Sequence, residues 1–554
     1  MKFSTKILAL FAVAIAAQAG AVGDSGKQPN ILLIVADDLG YSDLGSYGGE
    51  IETPTLDSLA SEGVQLTQFY TAPTCSPTRA MLMSGTDNHL AGLGTMKEAL
   101  DPYQKGEPGY EGHLNDNVHW LPALLKDGGY RTLMAGKWHL GSEQSQWPVN
   151  RGFERSFALL PGGGSHFKPV AEQPSVMERM PYARDKQLVK YADLPDDFYS
   201  TDYYTDQLIE YLEETRNSEK PFFAYAAYTA PHWPLQAPRE YLDKYQGRYD
   251  SGFEQIRKER IERVRKLGLL PEDFVAASTM PASEKFPKWD QLTEIEQRYE
   301  ARKMEIYSAM VDNLDDNVGR LFDYLRETGQ YENTLIVFIS DNGADALNHK
   351  IFFKDGPETD DSYDNLGKVG SNINYGLRWA EVSNAPLYLT KGTMAEGGVR
   401  VPALIKMPGD QGLSGRLEHI ARVDDLAPTF LEIAGLKDPG AEFQGQKRLP
   451  ITGKSMVPML QSGNEIHGKG AGLGAELFGN AYYREGNWKL LSAKPGFHHG
   501  YEPFDWQLFN MKTDPGETTD LADQYPERVE AMKKAWWEYA DKVGIVFPEG
   551  FTKQ

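Results

Sequence analysis

Five short runs of unbroken apolar sequence, at residues 31–36, 132–135, 221–229, 335–340 and 401–406, set the tightest limit on how this chain can fold. None of them alternates polar with apolar residues. That is the pattern of strands covered on both faces by helices, and the runs are predicted to be buried parallel strands. Helical segments fall between them. Thr53-Pro54 opens one with an N-cap and a proline in the first turn, and Gly63 closes it. Residues 203–214 form a second. Met310, Leu314, Val318, Leu321 and Leu325 make an apolar stripe on a third that ends before Gly329. Residues 426–434, stopped by Gly435, form a fourth. Strands alternating with helices imply an α/β fold with a large, mostly parallel mixed sheet sandwiched by helices. Beyond about residue 460 the pattern changes. Ala481-Tyr482-Tyr483-Arg484 and residues 488–491 and 506–509 are short and aromatic, as in antiparallel strands, and residues 525–543 read as a closing helix. The division expected is a main domain over 28–460 and a smaller C-terminal α+β subdomain, antiparallel sheet plus helix, over 461–554. The charged stretch 250–305 is expected to be a solvated helical excursion.

The chain carries 57 Lys and Arg against 79 Asp and Glu, a net charge of −22. A phosphate-binding surface wants clustered cations, so nucleic acid is excluded as a partner. An individual pocket can still be basic inside an acidic shell. The one cysteine, Cys75, allows neither an internal disulfide nor a cysteine-rich zinc site. At the N-terminus, Lys2 and Lys6 precede an apolar run over residues 7–17 and the sequence Ala17-Gln18-Ala19. This has the form of a signal peptide over residues 1–19, with an uncleaved anchor as the other reading. The apolar run is shorter than the ~20 residues that span a bilayer. The expectation is an exported protein, periplasmic or secreted, with no membrane span after signal cleavage.

The charged residues fall where the strands end. The run 31–36 ends in Asp37-Asp38, 132–135 runs into Gly136-Lys137-Trp138-His139, 221–229 into Pro231-His232-Trp233, and 335–340 into Asp341-Asn342-Gly343. In open α/β sheets the C-terminal strand ends meet at one crevice. Asp37, Asp38, Asp341 and Asn342 are hard oxygen donors suited to Ca²⁺ or Mg²⁺. A single aspartate after a strand serves as a helix N-cap just as readily. Two such pairs at two strand ends favour a metal. Cys75 lies in Cys75-Ser76-Pro77-Thr78-Arg79, with Pro77 in the first turn of a helix and Gly85 at its end. A helix N-terminus stabilises an anion, and Arg79 adds a fixed positive charge one turn on. A buried, inert thiol is the alternative.

These motifs resemble those of the sulfatase family. Cys75-Ser76-Pro77-Thr78-Arg79 looks like the C-x-P-x-R sulfatase signature, and the stretch from Gly129 to His139 resembles the second signature. Asp37-Asp38-Leu39-Gly40, Ala230-Pro231-His232-Trp233, Asp341-Asn342-Gly343 and Glu396-Gly397-Gly398-Val399-Arg400 match in the expected order. The likeness runs from about residue 28 to about 525. It is nearest to the bacterial arylsulfatases, including Glu111-Gly112-His113-Leu114-Asn115. It implies an alkaline-phosphatase-like fold. It also implies that Cys75 is oxidised to formylglycine by a maturation enzyme. One hydroxyl of the hydrated aldehyde attacks sulfur, and the other lets sulfate depart. By the same resemblance Asp37, Asp38, Asp341, Asn342 and the side chain at 75 hold a calcium ion. Lys137 and Lys391 grip sulfate oxygens, and Arg79 steadies the nucleophile and the metal ligands. Asp341 takes the attacking proton, His139 is the base of the release step, and His232 gives a proton to the leaving oxygen.

The sequence departs from the family where the first signature is followed by Gly85-Thr86-Asp87 rather than Gly-Arg. Residues 345–385 and 461–505 are least like the family, and such loops shape substrate choice. Gly162-Gly163-Gly164-Ser165-His166 and Trp379 are candidates for the pocket rim. The reading is a sulfatase acting on small anionic sulfate esters, aryl sulfates foremost. The alternatives are a sulfated carbohydrate as substrate, a phosphate or phosphonate ester hydrolase of the same superfamily, and an inactive metal-stabilised binding protein.

Overall fold

Apolar side chains on both faces of one strand set the layering. In β1 (Asn30–Ala36), Leu32, Ile34 and Ala36 enter one core while Ile31, Leu33 and Val35 enter another on the opposite face. The protein is described by a computed structural model covering residues 27–168, 180–214, 216–346, 359–409, 411–468, 470–494 and 504–551. The expected signal peptide, residues 1–19, lies outside the described residues.

The other strands of the large sheet are β2 (Val64–Tyr70), β3 (Arg131–Lys137), β4 (Arg155–Leu159), β5 (Tyr182–Arg184), β6 (Gln187–Val189), β7 (Phe222–Ala227), β8 (Thr334–Ser340), β9 (Arg400–Lys406), β10 (Gly415–Leu417) and β11 (Ala421–Arg422). They lie in the order β10-β2-β9-β8-β1-β7-β3-β4-β5-β6, with β11 beside β2. The central run β8, β1, β7, β3, β4 is parallel throughout. One face is covered by helices Pro54–Glu62, Ser200–Glu214 and Glu294–Glu327. The other is covered by Cys75–Ser84, Leu121–Asp127 and Leu426–Ile433. The expected α/β sandwich is thus the observed fold.

Two expectations need correction. The run 401–406, expected to be parallel, belongs to β9, which is antiparallel to both β2 and β8. Continuous apolarity reports burial on two faces, and it does not report direction. The stretch 250–305 is the solvated helical excursion expected only in part: most of residues 265–300 are exposed or half-buried, but the two helices that flank them turn a face inward. Helix Phe253–Leu267 buries Phe253, Ile256, Arg260, Ile261 and Val264, and residues 294–305 open the 34-residue helix Glu294–Glu327. Phe253, Ile256, Arg260 and Val264 recur at helical spacing within the charge run, so one stripe faces inward.

Strands Gly472–Leu477, Asn480–Glu485, Trp488–Ser492 and Gln507–Asn510 form a separate antiparallel sheet, against which helix Pro526–Val543 packs Trp536. Buried ion pairs fasten it to the large sheet. Lys489 Nζ lies 2.8 Å from Glu396, just ahead of β9, and 2.7 Å from Glu517 of its own unit, whose other oxygen accepts the Glu396 N–H at 2.8 Å. Arg484 reaches the Tyr70 hydroxyl at the end of β2. Among the described residues no helix is long and apolar enough to cross a membrane.

His89 makes a further link. Its ring nitrogens lie 3.1 Å from Asp87 and 3.1 Å from Glu476, and Tyr539 of the last helix donates to Asp87 at 2.8 Å. Asp87 is part of the departure from the family signature, and here it anchors the C-terminal unit. Burial pulls the His89 imidazolium down, but the two carboxylates outweigh it and push the pKa up from 6.5 to about 9. A raised pKa stabilises the fold fully below about 6.5 and loses that contribution as pH climbs through about 9. The shift corresponds to roughly 3 kcal/mol. His89→Gln should therefore lower the unfolding midpoint at pH 6, with the gap to the parent closing by pH 9.5. A gap that is constant across this range would show that the histidine is neutral in the folded protein.

Candidate active site

Because β8, β1, β7 and β3 are adjacent and parallel, their C-terminal ends deliver side chains to one spot. Asp37 and Asp38 follow β1, Asp341 and Asn342 follow β8, His232 follows β7, and Lys137 ends β3 with His139 two residues on. Cys75 is the first residue of helix Cys75–Ser84, five residues past the end of β2. Asp38 adopts a left-handed φ of 68°, and its N–H lies 3.3 Å from Asp341 Oδ1. Lys391 arrives on a loop tied to both neighbours. Its own N–H donates to Ala344 O at 3.0 Å, and the Gly392 N–H donates to Pro73 O at 2.8 Å. Gly343 permits this crowding, since a Cβ there would stand 1.8 Å from the Gly397 carbonyl oxygen.

The centre is a buried lattice of opposite charges. Lys137 Nζ lies 2.6 Å from Asp37, and Lys391 Nζ 2.7 Å from Asp38. Asn342 Nδ2 donates to Asp38 at 2.7 Å. Arg79 places Nε and a terminal nitrogen 2.9 and 2.8 Å from Asp341 Oδ2, and donates to Lys137 O and the Tyr225 hydroxyl. The Cys75 thiol, 2% exposed, points at Asp37 Oδ1 from 3.4 Å. His232 Nε2 lies 3.6 Å from Asp38, with Trp233 stacked on its ring. His139 Nε2 lies 3.4 Å from Glu98.

Each charge state has a local cause. Burial raises Asp38, but Lys391, His232 and Lys137 together hold its carboxyl far below the usual range. Burial and the neighbouring Asp37 raise Asp341 against the pull of Arg79. Lys391 and Lys137 are lowered by burial and lifted further by Asp38 and Asp37, so both stay charged. Burial pushes His232 well down, against Asp38, and pushes His139 down, against Glu98. Burial likewise pushes the Cys75 thiol far above its ordinary range, beyond what Lys137 and Lys391 recover.

Ligand atoms of Asp37, Asp38, Cys75 and His232 all lie within 4.8 Å of one another. His232 was expected as a proton donor, and here it also borders the ligand cluster. Asp341 turns one oxygen to Arg79 and the other to the Asp38 N–H. Asn342 Oδ1 is buried with no hydrogen-bond partner. An orphaned acceptor beside two carboxylates, all hard oxygen donors, fits a divalent metal cation.

The rim candidates sit differently from expectation. Trp379 is not on a rim. It is fully buried against Phe253 and Tyr249, and its indole donates to Glu300 O. Its flanking loop suggested exposure, whereas its bulk fills the core behind the site. Gly162 does border the site, and a Cβ there would meet the His139 ring at 2.5 Å. His166 is buried, with Nε2 3.0 Å from the His232 carbonyl and Nδ1 2.7 Å from Ser200. Burial lowers it to about 4, so it is neutral and can donate to that carbonyl. Three neighbours are absent from the sequence reading: Glu98, Tyr225 and Asp345, which is 4.0 Å from Lys391. Only Asp345 had a signal, its place just after Asp341-Asn342-Gly343.

With this geometry in hand, the sulfatase family model matches residues 29–436, and the chain belongs to the sulfatase family. It is 43% identical over 542 residues to an uncharacterized sulfatase of Schizosaccharomyces pombe, covering 95% of this chain and 96% of that one. It is 39% identical over 452 residues to an arylsulfatase of Klebsiella aerogenes, covering 80% and 95%. Among solved structures, Ps i-CgsB in complex with k-i-k-neocarrahexaose aligns with a TM-score of 0.65 at 26% identity, covering 95% of this chain and 96% of that one.

The buried, protonated thiol makes a direct prediction. Unmodified protein, folded at pH 8, should react with iodoacetamide at Cys75 at least ~10-fold more slowly than a free cysteine peptide, and at the peptide's rate in urea. Equal rates in the folded state would show that the thiol is open and ionised.

Proposed function

We propose that this protein hydrolyses sulfate monoesters, aryl sulfates foremost, to an alcohol or phenol and inorganic sulfate. The observation that carries this reading is the lysine pair. Lys137 and Lys391 converge on the two carboxylates beside Cys75, in a chain of the sulfatase family. Two buried ammonium groups are suited to grip an anionic ester.

Asp37, Asp38, Asp341, Asn342 and the side chain at 75 would hold a calcium ion, which when bound supplies Lewis acidity and a template for the sulfate group. A formylglycine at 75 would, when hydrated, supply two hydroxyls, one as the nucleophile and one for the release of sulfate. The chain's own residues do the rest. Arg79 fixes the Asp341 carboxylate, whose raised pKa suits it to accept the attacking proton. His139, held by Glu98, is the base for release. His232 is the donor to the leaving oxygen. An anionic ester against Lys137 and Lys391 offsets those cations and favours its protonated form. Cys75 is modified by a maturation enzyme, residues 1–19 direct export to the periplasm or beyond, and residues 28–460 and 461–554 form the catalytic unit and its subdomain.

The first test is chemical. In catalytically active protein the peptide containing Cys75 should have the mass of an aldehyde in place of a thiol. An active preparation that retains the thiol rules the mechanism out. The second separates roles. Nitrophenolate leaves readily without a proton, and an unactivated alcohol does not. His232→Ala should cost ~10²–10⁴-fold in kcat/KM on a poor leaving group and much less on nitrophenyl sulfate. Asp341→Ala should cripple both. Equal losses for His232→Ala across a leaving-group series would make it a sulfate-binding residue.

A sulfated carbohydrate is the second reading. It is favoured by the alignment with Ps i-CgsB, whose structure carries an oligosaccharide. Higher kcat/KM on sulfated oligosaccharides than on aryl sulfates would favour it.

A further inference from the structure

The charge run around residue 260 contains an arginine that does not reach water. Arg260 is fully buried and forks across two carboxylates. Its Nε and one terminal nitrogen bind Glu50 at 2.9 and 2.7 Å, and the other terminal nitrogen binds Asp43 Oδ1. Asp43 passes the constraint on. Its second oxygen accepts the Gly40 N–H at 2.7 Å and the Tyr307 hydroxyl at 2.7 Å. The same Tyr307 oxygen stands 3.5 Å from the carbonyl oxygen of Asp38. Tyr307 is itself clamped by Tyr375, stacked at 4.4 Å. The segment so held includes Asp38, whose left-handed φ of 68° is costly for a residue with a side chain and persists only when its surroundings impose it.

We propose that Arg260 and Tyr307 are positioning residues for the Asp38 carboxylate. Through Asp43 they hold the turn 37–43 in the strained conformation that presents Asp38 to the metal cluster. A flat, five-donor guanidinium suits this task because it can hold Asp43 and Glu50 at once, and a lysine can serve only one of them with good geometry. The inference rests on the metal reading above only for its consequence, since the geometry of the turn stands without it.

The test uses full-length, calcium-depleted protein and the variants Tyr307→Phe, Arg260→Lys and Arg263→Gln. Arg263 also binds Glu50, at 2.9 Å, but it does not touch Asp43 and is a matched control. Calorimetric titration with Ca²⁺ should show affinity about 10-fold or more weaker in Tyr307→Phe and Arg260→Lys, the scale for residues that orient metal ligands. Arg263→Gln should match the parent. Hydrogen exchange should quicken in the peptide covering residues 37–43 in the same two variants and stay unchanged in the helix Ser200–Glu214. Tyr307→Phe deletes one hydroxyl, so it remains decisive if Arg260→Lys does not fold. Parent-like Ca²⁺ affinity and parent-like exchange in Tyr307→Phe would overturn the proposal. A parent that binds no Ca²⁺ overturns the metal reading, and the exchange of residues 37–43 then decides the positioning role alone.

Discussion

The structure depends on the containment of three buried carboxylates, those of Asp37, Asp38 and Asp341. Placed together out of water, such groups repel, and each would take up a proton. Lys137, Lys391 and Arg79 each set a positive charge against one of them, at 2.6 to 2.8 Å. Removing one partner of a buried pair leaves an uncompensated charge, which costs ~3–5 kcal/mol. The site therefore cannot be disassembled one residue at a time without cost to the fold. Its cations come from the end of β3, a loop at 391 and the helix after β2, so the lattice also pins separate layers to one another.

That arrangement explains why a rigid sheet edge carries the candidate site. Four adjacent parallel strands hold their ends at fixed spacing, and the residues just beyond them inherit that precision. What lies farther back is support. Tyr225 steadies Arg79, Glu98 faces His139, and His166 faces the His232 carbonyl. Behind Asp38, the chain of Arg260, Asp43 and Tyr307 reaches into helices Phe253–Leu267 and Glu294–Glu327.

Much of this was legible in the sequence. The unbroken apolar runs gave the central strands because full burial leaves no room for alternation, and the polar residues at the ends of four of the five marked the site. Strand β2 was not legible, since Val64-Gln65-Leu66-Thr67 interleaves polar residues that are nonetheless buried, Gln65 donating to Ser46 O. The direction of β9 was hidden for a different reason, because apolarity carries no polarity of the chain. Arg260 was masked by the lysines, arginines and glutamates beside it. Its place on the stripe Phe253, Ile256, Arg260, Val264 was the available signal, and only a count of helical spacing separates it from its solvated neighbours. Glu98 and Tyr225 had no motif at all, since what they contact is set by tertiary packing.

The near-complete burial of Cys75 has a consequence for the order of events in the cell. Asp37 and Asp38 touch its thiol, but the rest of the surrounding charge comes from segments far along the chain: the Asp341 turn, and a lysine loop whose partner Asp38 is 353 residues earlier. During synthesis from the N-terminus, position 75 is therefore still bare while several hundred residues remain to be made. Any enzyme that acts on this side chain has that interval in which to reach it, and the interval ends when β8 and the loop at 391 dock. The long separation between position 75 and its enclosure thus works as a clock, set by the length of chain between them.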